Sequence, residues 1–346
     1  MFTRKKIIQL LFFIFVFALA VLAWLVFSGT TQFKEDKKIL YIKTGNNFSR
    51  VQYLLSIGGF VSDNRTFKRV AQFLNYDKNV KPGRYVIERG SSVYSIVQLL
   101  KSGKQTPVNL VIGKLHTRED LIKKIADNFE CSSAIIAGFL NSNDSLAAYK
   151  LDTNTVMSTV IPSSYNILWN ASFTEIFKRL HDEQQQFWTT ERKQKAAGLG
   201  LTEEQVYTLA SIVEEETNKE EDKGKVTSVY LNRIAVGMPL GADPTIKFAM
   251  KNFELRRMYE KYLSVQSPYN TYRNKGLPPG PICTATAKTI DAVLNAPATN
   301  YLYFVAKPEL NGYSNFSATY EEHLLNKKAY TDALDTIMRR KAEGRQ

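Results

Sequence analysis

Apolar residues follow one another almost without interruption from Ile7 to Phe27, and Gln9 is the only strongly polar residue among them. At 1.5 Å per residue, about 20 such residues cross a hydrocarbon core of about 30 Å. The pattern therefore predicts one membrane-spanning helix over residues 7–28. The basic cluster in residues 1–6 predicts a cytoplasmic N-terminus and an extracytoplasmic C-terminal part. A cleaved signal peptide is the alternative, but the apolar run is longer than a usual signal core and no A-x-A site follows it.

Short apolar runs alternate with turn residues between residues 38 and 107. Residues 39–42 and 84–87 have the composition of strands, and two amphipathic helical stretches lie between them. A further helix follows, with a serine cap before it and Gly103 where a left-handed C-terminal cap is expected. The pattern predicts a small module with the order β-α-α-β followed by a helix.

Helical periodicity dominates residues 108–346, interrupted by loops rich in glycine and proline. The best-defined helix lies in residues 202–217, where Thr202 and Gln205 form a capping box. The predicted fold class is therefore α+β, with an N-terminal transmembrane helix, the small β-α-α-β module and a larger, helix-rich domain. The apolar stripe of the best-defined helix comprises Val206, Leu209, Ala210 and Val213.

Three consecutive glutamates, Glu214 to Glu216, stand at the end of this helix. At about 100° per residue, Glu215 lies nearly opposite the apolar stripe, whereas Glu216 lies about 70° from its centre. One interpretation is a solvated acidic face. The other is that Glu216 is partly desolvated, which raises the pKa of a carboxyl group and suits it to general acid catalysis.

Composition and charge narrow the function further. The 346 residues carry 44% hydrophobic and 23% charged residues and a net charge of +13, so bulk disorder is excluded and an affinity for anionic surfaces is expected. The expected extracytoplasmic location argues against a nucleic-acid partner. Cys131 and Cys283 are too few for a disulfide framework, and whether they pair is left open. No metal or cofactor motif is present, so we expect neither.

Several segments in order resemble the membrane-anchored endolytic murein transglycosylases, the MltG or YceG-like family. The segments are 210–217, 231–233, 243–245, 269–272 and 276–280. The small module at 38–107 resembles LysM-like modules, which bind the amino-sugar backbone of wall glycans, and a spacer domain is the alternative. The resemblance implies a cytoplasmic tail over 1–6, a transmembrane helix over 7–28 and a YceG-like catalytic domain over 108–346.

The resemblance implies a lyase of the cytoplasmic membrane that cuts the β-1,4 bond between N-acetylmuramic acid and N-acetylglucosamine within peptidoglycan strands and leaves 1,6-anhydro ends. Glu216 aligns with the family's catalytic glutamate. A wall synthase is a further expected partner. Two alternatives stay open: an anchored glycan-binding scaffold, and a hydrolase in which Glu214 or Asp243 is a second carboxylate. The expected substrate-binding residues are Asn232, Asp243, Tyr269, Asn270 and Tyr272.

Overall fold

The computed structural model describes residues 4–255 and 257–343. The chain forms two compact units. The first holds the chain up to Leu110 together with Asn128–Cys131 and Asn166–Ser172, and the second holds the other described residues. The fold is helix-rich α+β with short strands, which confirms the predicted class at this level.

The secondary structure comprises the following elements. The helices are α1 Arg4–Phe27, α2 Phe48–Ile57, α3 Asn64–Phe73, α4 Val93–Ser102, α5 Arg118–Ala126, α6 Ser133–Leu140, α7 Asn143–Ala147, α8 Phe173–Phe187, α9 Thr190–Gly198, α10 Glu203–Glu216, α11 Glu220–Ala235, α12 Asp243–Ala249, α13 Ala287–Leu294 and α14 Tyr320–Glu343. The strands are β1 Lys37–Ile42, β2 Gly83–Glu88, β3 Val108–Val111, β4 Ser164–Ile167, β5 Tyr303–Ala306 and β6 Ser314–Ser317. Short 3₁₀ turns lie at Val156–Thr159 and Glu260–Tyr262.

Helix α1 is the apolar segment at the N-terminus. It spans 24 residues with a mean hydropathy of 3.0, and none of its described side chains is buried. Its length and composition suffice to cross a membrane. The predicted helix is present, whereas its orientation across a membrane and its retention in the mature protein stay predictions.

The first unit contains the predicted β-α-α-β order. Strand β1 pairs antiparallel with β2, from Lys37 opposite Glu88 to Ile42 opposite Gly83. Helix α4 has the predicted caps: Ser92 precedes it, and Gly103 adopts the left-handed conformation (φ 71°) that a C-terminal cap requires. The buried faces of these elements form a core of their own.

Helix α10 lies at the centre of the second unit. All eight side chains from 206 to 213 are buried, and helices α9, α11, α12 and α13 pack around it. Tyr207 shows how closely the surrounding chain is tied to the helix, because its hydroxyl donates to Val160 O at 2.5 Å and accepts from Ala285 N at 3.1 Å. The helix therefore has no broad solvent-facing side in this stretch, and its C-terminal end is held in a fixed place.

The capping box at the start of α10 is formed as the sequence predicts. Thr202 Oγ1 accepts from Gln205 N at 3.2 Å, and Gln205 Oε1 accepts from Thr202 N at 2.9 Å. The two bonds satisfy the backbone N–H groups of Thr202 and Gln205, which the start of a helix would otherwise leave without partners.

We expect Thr202→Ala to lower the melting temperature of the full chain in detergent by about 2–4 °C, because the loss of an N-cap costs about 1 kcal/mol. Differential scanning calorimetry measures the change. The matched control is Thr336→Ala, since Thr336 lies on the exposed helix α14 and bonds only to Asp332 O within its own helix. Equal shifts for the two variants would show that the cap contributes nothing specific to α10.

Candidate active site

The site is built around the last residue of α10, Glu216. Helix α11 passes beside it and places Tyr230, which is 1% exposed, against the carboxylate. The Tyr230 hydroxyl donates to Glu216 Oε2 at 3.3 Å. The Glu216 side chain is half-buried, so one side of it meets protein while the residue keeps access to solvent. A carboxyl group in this position can exchange a proton with a bound molecule.

A second carboxylate stands close enough to influence the first. Asp243 is the first residue of α12, and Pro244 follows it at a position where its missing N–H is not needed. The Tyr272 hydroxyl donates to Asp243 Oδ1 at 2.5 Å, which fixes the side chain of Asp243. Two of the predicted substrate-binding residues are thus brought together beside Glu216.

Arg233 of α11 holds the two chain segments that border this site. Its Nε donates to Leu302 O at 2.7 Å, and its Nη1 donates to Leu240 O at 2.6 Å. Leu240 belongs to the loop that leads to Asp243. The guanidinium therefore fixes the backbone around the site and also adds a positive charge near Glu216.

Burial, followed by the negative charge of Asp243, raises the pKa of Glu216 to about 7. The hydrogen bond from Tyr230 and the charges of Arg233 and Lys247 act in the opposite direction without cancelling the increase. A glutamic acid with a pKa near neutrality is protonated often enough to donate a proton and ionised often enough to take one. The desolvated-acid interpretation of Glu216 is the one that this geometry supports.

Glu215 differs sharply from its neighbour. Lys114 Nζ lies 2.9 Å from Glu215 Oε1, and His116 Nε2 lies 3.3 Å from the same oxygen. Burial alone would raise the pKa of Glu215, but the hydrogen bonds and charges of His116 and Lys114 outweigh it and lower the pKa to about 2. Glu215 is therefore ionised throughout the neutral range and cannot donate a proton there.

Glu214 is held by a third set of partners. Its Oε2 accepts from Thr286 Oγ1 at 3.1 Å and also from Thr289 Oγ1, and Lys223 Nζ lies 3.6 Å away. The side chain of Glu214 is 11% exposed and that of Lys223 is 5% exposed. Because all three glutamates are at least partly enclosed by protein, the alternative of a solvated acidic face is not realised.

Two predicted substrate-binding residues donate hydrogen bonds from their side-chain amides to backbone carbonyl groups. Asn232 Nδ2 donates to Thr299 O and to Tyr301 O, both at 2.9 Å. Asn270 is fully buried, and its Nδ2 donates to two loop carbonyls, Leu263 O at 2.9 Å and Val265 O at 2.8 Å. Both amides therefore shape the loops around the site, and direct sugar contact by either residue stays an untested prediction.

Tyr269 lies on the same loop as Tyr272 and packs on Phe248 of α12, with ring centroids 4.6 Å apart. Its hydroxyl lies next to Gly280. A Cβ atom at Gly280 would overlap the Asn154 carbonyl oxygen, so the loop approaches Asn154 as closely as only glycine allows. The ring of Tyr269 is half-buried and forms one wall of a small cavity.

Sequence reasoning did not find all members of the site. Tyr230 occupies an apolar position of its helix, and no local sequence pattern connects it to a glutamate 14 residues earlier. Lys114 and His116 lie about 100 residues before Glu215, and no spacing rule connects them to it. Arg233 stood within a recognised motif but without a role.

No group of three or more His, Cys, Asp or Glu side chains suited to a metal ion occurs among the residues that the structure describes. Cys131 and Cys283 are both free thiols, and Cys283 is buried.

Comparisons with known proteins place this geometry in context. A sequence model described as the YceG-like family matches residues 40–329. An endolytic murein transglycosylase of Bacillus subtilis is 27% identical over 305 residues, which cover 84% of this chain and 83% of the relative. One of Streptococcus pneumoniae is 26% identical over 303 residues, and the chain spans about half (53%) of its length.

A crystal structure also matches. It is that of a YceG-like protein of Listeria monocytogenes, with a TM-score of 0.57 and 25% sequence identity, and the match covers 84% of this chain and 98% of the other.

We expect Asp243→Asn to lower the pKa of Glu216 below about 7, because the substitution removes the negative charge that adds to the effect of burial. A pH titration of the Glu216 carboxyl carbon by NMR, with labelled glutamate, measures the change. The matched control is Asp332→Asn on the exposed helix α14. An unchanged titration midpoint in Asp243→Asn would contradict the coupling of the two carboxylates.

Proposed function

The chain belongs to the YceG-like family, whose sequence model matches residues 40–329, and from this premise we propose that it is an endolytic murein transglycosylase with Glu216 as its acid and base. The observation that carries the proposal is the half-buried carboxyl group of Glu216, with a pKa of about 7. The relatives that match most of this chain have the same activity in their names.

The first step breaks the glycosidic bond. Protonated Glu216 gives its proton to the oxygen between the muramyl and glucosaminyl residues, and the C1–O bond breaks with its electron pair leaving on that oxygen. Positive charge develops at C1 of the muramyl ring. Asp243, held by Tyr272 at 2.5 Å, supplies a negative charge near Glu216 and can stabilise that developing charge.

The second step closes the ring and regenerates the acid. Glu216, now a carboxylate, takes the proton from the C6 hydroxyl of the same muramyl residue, and the C6 oxygen forms a bond to C1. The product is a 1,6-anhydro end, and no water is consumed. The hydroxyl is already part of the reacting sugar, so the step gains from proximity. The Tyr230 hydroxyl, 3.3 Å from Glu216 Oε2, stabilises the carboxylate between the two steps.

A two-carboxylate hydrolase is the second candidate, and the contacts separate its two versions. Glu214 is occupied by Thr286, Thr289 and Lys223, which argues against its use as a base. Asp243 accepts a hydrogen bond at Oδ1 from the Tyr272 hydroxyl and forms no ion pair within the described residues, so it is the residue by which hydrolysis would proceed. The chemical nature of the new ends decides between the two functions.

We also propose where the enzyme works. The apolar helix α1 anchors it as a single-pass protein of the cytoplasmic membrane, with the remaining chain outside the cytoplasm. The β-α-α-β module of the first unit acts as a LysM-like contact with the glycan strand. The net charge of +13 favours an approach to anionic headgroups and wall carboxylates. A wall synthase is a suitable membrane partner for an anchored glycan-cutting enzyme.

We expect Glu216→Gln to lose at least about 100-fold in cleavage of purified murein strands, because general acid–base catalysis contributes about 10²–10⁴-fold. Mass spectrometry of the products from the parent enzyme identifies 1,6-anhydro ends. Glu254→Gln is the matched control, since Glu254 is a glutamate of the same unit outside the described site. Reducing ends would establish the hydrolase, and full activity of Glu216→Gln would remove the proposed role of this residue.

The pH dependence follows from the same carboxyl group. The free enzyme must be protonated at Glu216, whose pKa is about 7, so kcat/KM is expected to decrease as the pH rises above about 7. In Asp243→Asn this decrease begins at lower pH, because the pKa of Glu216 falls. Initial rates measured from pH 5 to pH 9, about two units on either side of the pKa, test the relation, and a rate that is flat across pH 7 contradicts it.

A further inference from the structure

A small cavity of about 170 Å³ lies near the C-terminal end of α12, the helix that begins at Asp243, and has no role in the reaction described above. Its wall combines cationic, polar and aromatic side chains. The residues that the argument uses are His116, Arg118, Phe248, Lys251 and Tyr269.

We propose that this cavity binds a carboxylate of the peptide stem that branches from each muramyl residue, so that the enzyme prefers strands that carry stems. The inference rests on the proposed function, because it specifies which part of the murein strand is recognised. A carboxylate bound here would fix the position of the muramyl ring relative to Glu216.

Arg118 is the group that selects a carboxylate. It is half-buried at the start of α5, and its guanidinium Nη1 donates a hydrogen bond to Leu140 O at 3.2 Å. A guanidinium has five donors in a fixed, planar arrangement that matches a carboxylate. Burial raises the pKa of Tyr269, and the positive charge of Arg118 opposes the increase. The guanidinium is therefore close enough to the Tyr269 hydroxyl to influence it electrostatically.

Lys251 adds a second positive charge at the rim. Its Nζ lies 3.4 Å from Glu119 Oε1, and the two side chains are 70% and 63% exposed. Such an exposed pair is weak in water, so the lysine is able to turn towards an incoming anion. The positive charge of Lys251 balances the negative charge of Glu119. The charge of Arg118 then makes the lining of the cavity positive overall.

The aromatic wall suits the carbon atoms of a short peptide. Tyr269 packs on Phe248, and His116 stacks on Phe253 with ring centroids 4.1 Å apart. Tyr269, Phe248 and His116 line the same cavity as Arg118 and Lys251. A methyl-bearing residue with a free carboxylate would meet both kinds of surface, whereas the uncharged acetamido group of a sugar would leave the guanidinium without an ionic partner.

The distance to the catalytic carboxylates fits a stem of about three residues. Asp243 and Phe248 are five positions apart on α12, which corresponds to roughly 7.5 Å along the helix axis and is within reach of three extended residues. An extended peptide spans about 3.3–3.6 Å per residue, so two residues fall short of that distance and three cover it. The muramyl ring can therefore occupy the catalytic site while a carboxylate further along its stem reaches the cavity.

The test compares uncrosslinked murein strands with the same strands after an amidase has removed the stems. For the full chain in detergent, we expect a KM about tenfold lower on strands that carry stems, as an ionic hydrogen bond of this kind provides. In Arg118→Gln the ratio of the two KM values falls towards about one while kcat on stem-bearing strands is retained. Lys251→Gln lowers the same ratio to a smaller extent. Because Lys251 is exposed, this variant still tests the cavity if Arg118→Gln fails to fold.

Arg179→Gln is the matched control, because Arg179 pairs with Glu183 on the surface of α8 and is expected to leave the ratio at its parent value. Equal KM values for the two substrates in the parent enzyme would overturn the proposal. So would a rise in KM on both substrates alike in Arg118→Gln, which would indicate contact with the sugars themselves.

A binding measurement separates this proposal from the proposed function. Glu216→Gln protein is incubated with either kind of strand, and the bound fraction is determined by sedimentation. Preference for stem-bearing strands that disappears in Glu216→Gln/Arg118→Gln supports the cavity even if the parent enzyme cuts nothing. An absence of preference in this assay overturns the proposal even if the parent enzyme cleaves murein.

Discussion

The proposed chemistry depends on one constraint: the Glu216 carboxyl group is half-buried, and no cation of the described residues forms an ion pair with it. Tyr230 offers it a neutral hydroxyl, and Asp243 opposes its ionisation. The adjacent Glu215 carries the same side chain but contacts Lys114 and has a pKa of about 2. The pKa values of two neighbouring glutamates of one helix therefore differ widely only because different elements surround them. Proteins separate proton donors from fixed charges in this way.

The first unit illustrates how far local sequence determines structure. Residues 39–42 and 84–87 were predicted as strands; β1 begins two residues earlier and ends at the predicted residue, and β2 is longer by one residue at each end. The prediction succeeded because turns and caps such as Gly103 act within a few residues along the chain. The relation of this unit to LysM-like modules depends on ligand contacts, which backbone order does not determine.

The site was less accessible to sequence reasoning. Helical periodicity put Glu216 nearer the buried face than Glu215, but it described α10 as a helix with one buried face, whereas the structure encloses it between four helices. Asn232 and Asn270 were expected to bind sugar, which stays a prediction, and their amides bond to backbone carbonyls, those of Asn232 about 70 residues further along the chain. Periodicity reports the direction of a side chain along its own helix, and it contains no information about which other segment arrives there.

Gly280 has a consequence of another kind. Because the chain passes so close to the Asn154 carbonyl oxygen, every other residue type would bring the same obstructing carbon atom, whatever its charge or polarity. The spacing of the loop is thus set by the absence of an atom. Every substitution at this position would force the two backbone segments apart. The loop beside Tyr269 therefore keeps its shape through this close approach, whatever chemistry takes place next to it.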